Sequence, residues 1–204
     1  MHNQLYKNSN FDEEHSKTPV VWFFRVREWR NDASSIFIKY LRTESRMSFD
    51  LQPILKGKLL ELRPLRPEDF DDLYAVACDP FIWEQHPSND RYKEEVFKEF
   101  FREAMESGGA FIVIDSKNGR VIGSSRFHGY NEEKSEIEIG WSFLARAHWG
   151  GVYNREMKEL MLQHAFQFVD TVVFLVVPQN LRSQKAMEKS AVFVREPGPT
   201  SAAA

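Results

Sequence analysis

Two stretches place chemistry-bearing residues at spacings that suggest a use. In "RAHWGGVYNREM", from Arg146 to Met157, the adjacent glycines Gly150 and Gly151 stand directly before a helical pattern. A strand that ends in a glycine turn and feeds a helix leaves several backbone N–H groups unpaired at the helix start. Together with the helix dipole these attract anions, and glycine lets a diphosphate come close to the backbone. No Lys-Ser/Thr follows the glycines and no G-x-G-x-x-G is present, so this is neither of the commonest phosphate loops. A plain tight turn would also account for the glycines. In "SEIEIG", Glu136 and Glu138 lie two residues apart on a strand and therefore share a face. Paired carboxylates beside a substrate cleft can take a proton as a general base. The simpler account is a solvated sheet face balanced by Arg126 on the neighbouring strand.

The surrounding pattern supplies the elements that must hold these residues. "KLLELRPLRPEDFDDLYAVACDP" reads as a strand around Leu59 to Arg63 and then a helix entered at Pro67. "RYKEEVFKEFFREAMES" places Val96, Phe100 and Ala104 at helical spacing, closed by Gly108 and Gly109. "AFIVID" and "RVIGSSRFHGY" form a hairpin across Asn118-Gly119. "SEIEIGWSFL" adds a third strand, expected to carry Ile137, Ile139 and Trp141 on one face. After the glycines, Met157, Leu160, Met161, Ala165, Phe168 and Val169 recur at helical spacing. "VVFLVV" is then a short buried strand, and "NLRSQKAMEK" a last helix capped by Asn180, with Ser183 in its first turn. The middle of the chain is thus an antiparallel meander.

In this order and at this separation, "EIEIGWSFLARAHWGGVYNREMKELMLQHAF" and "VVFLVVPQNLRSQKAMEK" resemble the GCN5-related N-acetyltransferase (GNAT) family. The likeness is to the branch of the ribosomal-protein N-terminal acetyltransferases and covers about residues 56–193. It implies an α+β (α/β) fold, the acyl-CoA N-acyltransferase fold, with a mixed, mainly antiparallel central sheet flanked by helices. It also implies acetyl-CoA as co-substrate, held where the fourth and fifth family strands splay apart. Phe143 and Leu144 would line the acetyl and pantetheine arm. Arg146 and the backbone of Trp149, Gly150, Gly151, Val152, Tyr153 and Asn154 would hold the pyrophosphate. Asn180 would bond the pantetheine arm, and Ser183 would lie near the CoA thiol or phosphates.

The implied reaction moves acetyl to a primary amine, on a protein N-terminus or a small molecule. The amine must be neutral to attack, which gives Glu138 or Glu136 the role of base. Many relatives place a tyrosine in the last helix to protonate the leaving thiolate; here Ser183 is the nearest hydroxyl. "DPFIWEQHPSNDRY" falls where this fold binds its acceptor, and Trp83, Glu84 and His86 are the candidate acceptor residues, with Trp83 equally at home in a core. The family pattern is Gln/Arg-x-x-Gly-x-Gly/Ala, from which this sequence departs at Ala147 and Val152. A β-branched residue at 152 adds bulk and does not readily take positive φ. The alternative reading is therefore a CoA-binding fold without turnover.

Composition bounds the rest. At 204 residues, with 42% hydrophobic and 28% charged residues, the chain suits one well-filled domain. A formal net charge of -3 with scattered Lys and Arg gives no basic stripe, which argues against direct nucleic-acid binding. The histidines show no metal-ligand spacing, and Cys78 reads as packing within a helix. One cysteine and no long apolar run suit the cytoplasm, with no membrane partner. Residues 1–46 lack a sustained period and are expected to be a poorly ordered extension, followed by the acetyltransferase domain over 47–196 and a tail over 197–204. Only "AVFVRE" can follow the last helix as a strand, so the last strand of the fold is expected to be missing. That would leave an open edge on the fifth family strand, available to a second copy.

Overall fold

Strand-forming alternation and helical periodicity translate into a sheet with helices on both faces. The computed structural model describes residues 20–25 and 48–193. In chain order the strands are β1 (Val20–Arg25), β2 (Leu55–Lys56), β3 (Leu60–Pro64), β4 (Ala110–Asp115), β5 (Val121–Asn131), β6 (Glu136–Leu144) and β7 (Thr171–Val176). The helices are α1 (Phe70–Ala77), α2 (Pro80–Trp83), α3 (Glu94–Glu106), α4 (Val152–Ala165) and α5 (Leu181–Phe193), with single 3-10 turns at Pro67–Asp69 and Arg146–His148. Among the described residues the strands form one sheet in the order β1-β7-β6-β5-β4-β3-β2. All neighbours are antiparallel except β6 and β7. The mixed, mainly antiparallel sheet flanked by helices is the architecture expected from the sequence.

Each face of the sheet buries its own cluster. On one, Met157, Met161, Leu162 and Ala165 of α4 pack on Phe111, Phe127, Ile137 and Ile139. On the other, Leu73 and Ala77 of α1, Trp83 of α2 and Phe97 and Phe100 of α3 pack on Ile112 and Phe143. A fully buried side chain of this size contributes roughly 1.5–3 kcal/mol, so both layers are needed to hold the sheet flat between them. Glu156 of α4 adds a polar tie that no sequence pattern announces. Its carboxylate accepts the backbone N–H groups of Lys58 (2.9 Å), Leu59 (2.7 Å) and Leu60 (3.0 Å), locking the β2–β3 turn onto the helix. A Cβ on Gly57 would sit 2.6 Å from that carboxylate, which explains the glycine.

Four expectations change. Residues 20–25, placed by the sequence reading in a poorly ordered extension, form β1 and pair with β7 along its whole length, from Val20 opposite Val176 to Arg25 opposite Thr171. The edge of β7 expected to be open is therefore covered from within the chain. Residues 191–193, expected to begin a strand, instead continue α5. Ser190-Ala191 offers no glycine to take a left-handed cap, so nothing there stops the helix; the rest of "AVFVRE" lies outside the described residues. Finally, Trp141 does not share a face with Ile137 and Ile139. It sits at φ 51° where the β5–β6 register shifts, and this bulge turns its ring to the α1–α3 side. Cys78 is also exposed rather than packed, just past the end of α1. No helix of the described residues is long and apolar enough to cross a membrane.

Two measurements test this packing. Phe24 is 4% exposed, with its ring 5.3 Å from that of Phe174. Phe24→Ala should lower unfolding stability by about 3 kcal/mol in denaturant titrations; an unchanged midpoint would mean that β1 adds nothing to the sheet. Lys158 is buried on α4 with its Nζ 4.5 Å from the Phe174 ring centre, and burial pushes its ammonium down to about 8. Below that pH the ion is charged in both states and its desolvation opposes folding. Between about 8 and the ordinary 10.5 the unfolded chain holds more protons, so stability rises with pH. Lys158→Met should thus stabilise the protein at pH 7, by up to about 3 kcal/mol, with the gain shrinking as pH approaches 10.5.

Candidate active site

β6 and β7 pair over three positions only, Glu136 with Thr171, Ile137 with Val172 and Glu138 with Val173. Beyond them β6 stays on β5, where Phe143 faces Ser124 and Leu144 faces Gly123. The two parallel strands part there, and the gap opens into a cavity of about 520 Å³. Ser142, Phe143 and Leu144 line it from β6, Ile82, Trp83 and His86 from α2 and the loop after it, and Asn180, Arg182, Ser183 and Lys185 from α5 and its cap. Trp149, Gly150, Gly151, Val152 and Asn154 close it at the start of α4.

That closing turn has the geometry of an anion cradle. Gly150 takes φ 69°, a left-handed conformation in which a Cβ would meet no protein atom within 4 Å. Gly151 caps α4 with extended backbone and no side chain over the first amides. The first N–H groups of α4 therefore remain available where the helix dipole favours negative charge. Val152 begins the helix with its side chain 56% exposed and without positive φ. The strain anticipated at 152 is absent because the left-handed residue lies two positions earlier.

The sequence-selected residues divide by location. Phe143, Leu144, Trp149, Gly150, Gly151, Val152, Asn154, Asn180, Ser183, Trp83 and His86 all come together on the cavity. Asn180 is also the cap it was read as, its Oδ1 accepting Ser183 N–H at 3.0 Å. Arg146 is not on the cavity wall. It pairs with Asp79 and lies 4.7 Å from the Phe81 ring centre, so its charge is already engaged. Tyr153 packs inward, with its ring 4.6 Å from that of His148. Glu84 binds Arg182 instead of facing the cavity.

Three cationic side chains not singled out from the sequence, Arg155, Arg182 and Lys185, line the cavity where Arg146 does not. Arg182 stacks 3.9 Å from the Trp149 ring centre and donates to the Phe81 carbonyl at 3.2 Å, fastening α5 to α2 across the cavity. Arg155, which also pairs with Glu159, and Lys185 line the wall beside it. His148 also lines the cavity, with Nδ1 buried and without a hydrogen-bond partner.

Glu136 and Glu138 share the face of β6 opposite Ile137 and Ile139; Glu136 opens the ladder with β7 and Glu138 is its last pair, and neither is on the cavity wall. Glu138 folds over Gly140, with Oε1 3.1 Å from where a Cβ would stand. Burial raises its carboxyl above the ordinary range, opposed by the charge of His128 across the strand pair. His86 is driven the other way, to about 4, by burial and by the Arg91 guanidinium, and is neutral at pH 7. Among the described residues no cluster of His, Cys, Asp and Glu could hold a metal ion.

A family model for the acetyltransferase (GNAT) domain matches residues 60–191. A GNAT-family acetyltransferase from Bacillus anthracis superposes with a TM-score of 0.56 at 21% identity, covering 68% of this chain and 82% of that one. A GCN5-related N-acetyltransferase from Brucella melitensis gives 0.56 at 20%, over 69% and 67%. Spermidine N-acetyltransferase from Vibrio cholerae, in complex with CoA and spermine, gives 0.51 at 16%, over 66% and 80%. No curated protein sequence matches the chain. The chain belongs to the GNAT acetyltransferase family.

The cradle is testable by itself. Gly150→Ala must hold an L-residue at φ 69°, which costs roughly 1–2 kcal/mol. The melting temperature should fall accordingly, and CoA titrated by calorimetry should bind more weakly. Wild-type affinity in that variant would show that the turn does not carry the phosphates.

Proposed function

We propose that this protein transfers acetyl from acetyl-CoA to the primary amine of a protein N-terminus or a small molecule. The observation that carries this reading is the parting of β6 and β7 beyond Glu138 into a cavity closed by a glycine turn and an uncapped helix start. The residues present fit the co-substrate. Free amides of α4 and the open space at Gly150 suit a diphosphate, with Lys185, and Arg155 beside its partner Glu159, adding positive charge on the wall. Bound there, acetyl-CoA supplies an activated acyl group.

The chain's own residues then have three tasks. β6 beyond Glu138 has no ladder partner on β7, so its backbone on that side can bond and orient the acyl group. Glu138, raised by burial, accepts the acceptor's proton through a water. Ser183, with Ser142 one of two serine hydroxyls on the cavity wall, can donate a hydrogen bond to the departing thiolate. Holding the partners in one cavity supplies much of the remaining rate. The likeness to the ribosomal-protein branch keeps a peptide N-terminus in the acceptor class. The non-catalytic alternative rested on Val152 and on the missing last strand; against it, Val152 starts the helix without positive φ, and β1 pairs along β7.

Thiol release from acetyl-CoA across a panel of amines tests the reaction. Glu138→Gln should lower kcat on the order of a hundredfold or more. In the wild type the acidic limb of the kcat/KM profile should lie above the ordinary carboxylate value of 4.5, because burial raises Glu138, and it should vanish in the variant. A limb that persists in Glu138→Gln would assign the proton elsewhere.

A further inference from the structure

Behind the His86 and Trp83 wall of the cavity, off the wall itself, lie two arginines without an ion-pair partner among the described residues, Arg91 and Arg126. Arg126 is 4% exposed, and its Nε and Nη2 are buried without a hydrogen bond. Its guanidinium lies 4.7 Å from the Trp141 ring centre and 5.7 Å from that of Phe100. These ring faces offset part of the desolvation but leave the N–H donors unsatisfied. Arg91 covers Phe100 from 4.7 Å and Trp83 from 5.5 Å. Glu103 and Asp90 are the acids that act on the two arginines, yet neither forms an ion pair with them. An uncompensated buried guanidinium opposes folding by several kcal/mol, so a purely structural role does not explain it.

His86 sharpens the picture. Its Nδ1 accepts the Ser88 N–H at 3.0 Å, which leaves the single proton of the neutral ring on Nε2. Nε2 faces Arg91 Nη1 at 3.2 Å. In that tautomer the two facing atoms are both donors. From the cavity wall at His86 and Trp83, this run of donors reaches through Arg91 and Phe100 to Arg126, which stands opposite Gly140 on β6, two residues from Glu138.

We propose that Arg126, Arg91 and His86 bind an anionic group, a carboxylate or phosphate, carried by the amine acceptor. Resting on the acetyl-transfer reading above, this narrows the acceptor to molecules holding an acid near the reacting amine. Amino acids, aminoalkyl phosphonates and peptides with an acidic residue close to the N-terminus have that chemistry. Polyamines do not, since a buried and a half-buried guanidinium repel them.

Matched acceptors decide it: free amino acids against their carboxamides, 2-aminoethylphosphonate, peptides beginning Ser-Asp against Ser-Asn, and spermidine. The acid member of each pair should be preferred in kcat/KM on the order of tenfold or more. Which pair shows the largest preference separates small acids from peptides. In Arg126→Met that preference should collapse while the melting temperature holds or rises, because an unpaired buried charge has gone. Arg126→Lys should retain part of it, and Arg91→Gln, at a less buried position, should reduce it without a folding defect. Equal use of acids and amides by the wild type, a preference for spermidine, or equal losses on both members in Arg126→Met would overturn the proposal. Calorimetric titration of the same pairs into CoA-loaded protein needs no turnover. If acetyl-CoA binds but no amine releases thiol, acetyl transfer fails, whereas an acid preference lost in Arg126→Met would still uphold the anion site.

Discussion

Three residue pairs between β6 and β7 govern this structure. Had the parallel ladder continued past Glu138 and Val173, the space between the strands would be filled by hydrogen bonds and no cavity would exist. β6 leaves β7 without leaving the sheet because an extra residue is inserted at Trp141. The bulge breaks the register with β5 between Ser124 and Arg126, and pairing resumes at Phe143. A tryptophan at φ 51° is unfavourable by roughly 1–2 kcal/mol. Its ring contacts with Arg126 and His128 offset that strain. β7 loses half of its partner on this side and needs hydrogen bonds elsewhere. β1 provides them along all of β7, so the segment far upstream in sequence stabilises the strand that forms one wall of the wedge.

The cations around the wedge fall into two sets with different work. Arg146 with Asp79 and Arg182 with Glu84 are neutralised, and their role is mechanical: they tie the turn after β6 and the start of α5 to the region around α2. These pairs are partly solvated, so their individual worth is small and their value lies in fixing geometry. Arg126 and Arg91 have rings beneath them instead of carboxylates. Arg126 stands on the strand beside Glu138, whose carboxyl is raised by burial, and Arg91 contacts the neutral His86. On the two proposals made above, proton acceptance by Glu138 and charge recognition by Arg126 fall on neighbouring strands.

What the sequence made legible was local. The hairpin at Asn118-Gly119, the Asn180 cap and the glycine turn each depend on residues within a few positions, and each stands where its pattern predicted. Phe143, Leu144 and His86 could be placed on one cavity only through the order of the motifs, since they lie far apart in the chain. The misread features are those set by distant partners. Arg146 is next to the glycines but is claimed by Asp79, 67 residues away. Trp141 continues an alternation that a bulge then breaks, and a single residue of slippage sends it to the other face. Arg126 was read as the counter-ion of the β6 glutamates, yet no ion pair forms. β1 has no periodicity of its own because its identity as a strand comes from β7.

The division of labour in the glycine turn explains how Val152 fits a position where the family has a small residue. A turn from strand to helix over a diphosphate needs one left-handed residue to reverse the chain and open space above the first amides. Here Gly150 provides the first and Gly151 the second, its absent Cβ facing nothing closer than the Trp149 carbonyl at 3.8 Å. The residue after them is already helical, and a β-branched side chain is tolerated there because what the turn presents is the N–H of 152 and not its side chain. The requirement that matters is thus a backbone conformation at 150, and the family spacing can shift by one residue without losing the cradle so long as that conformation stays with a glycine.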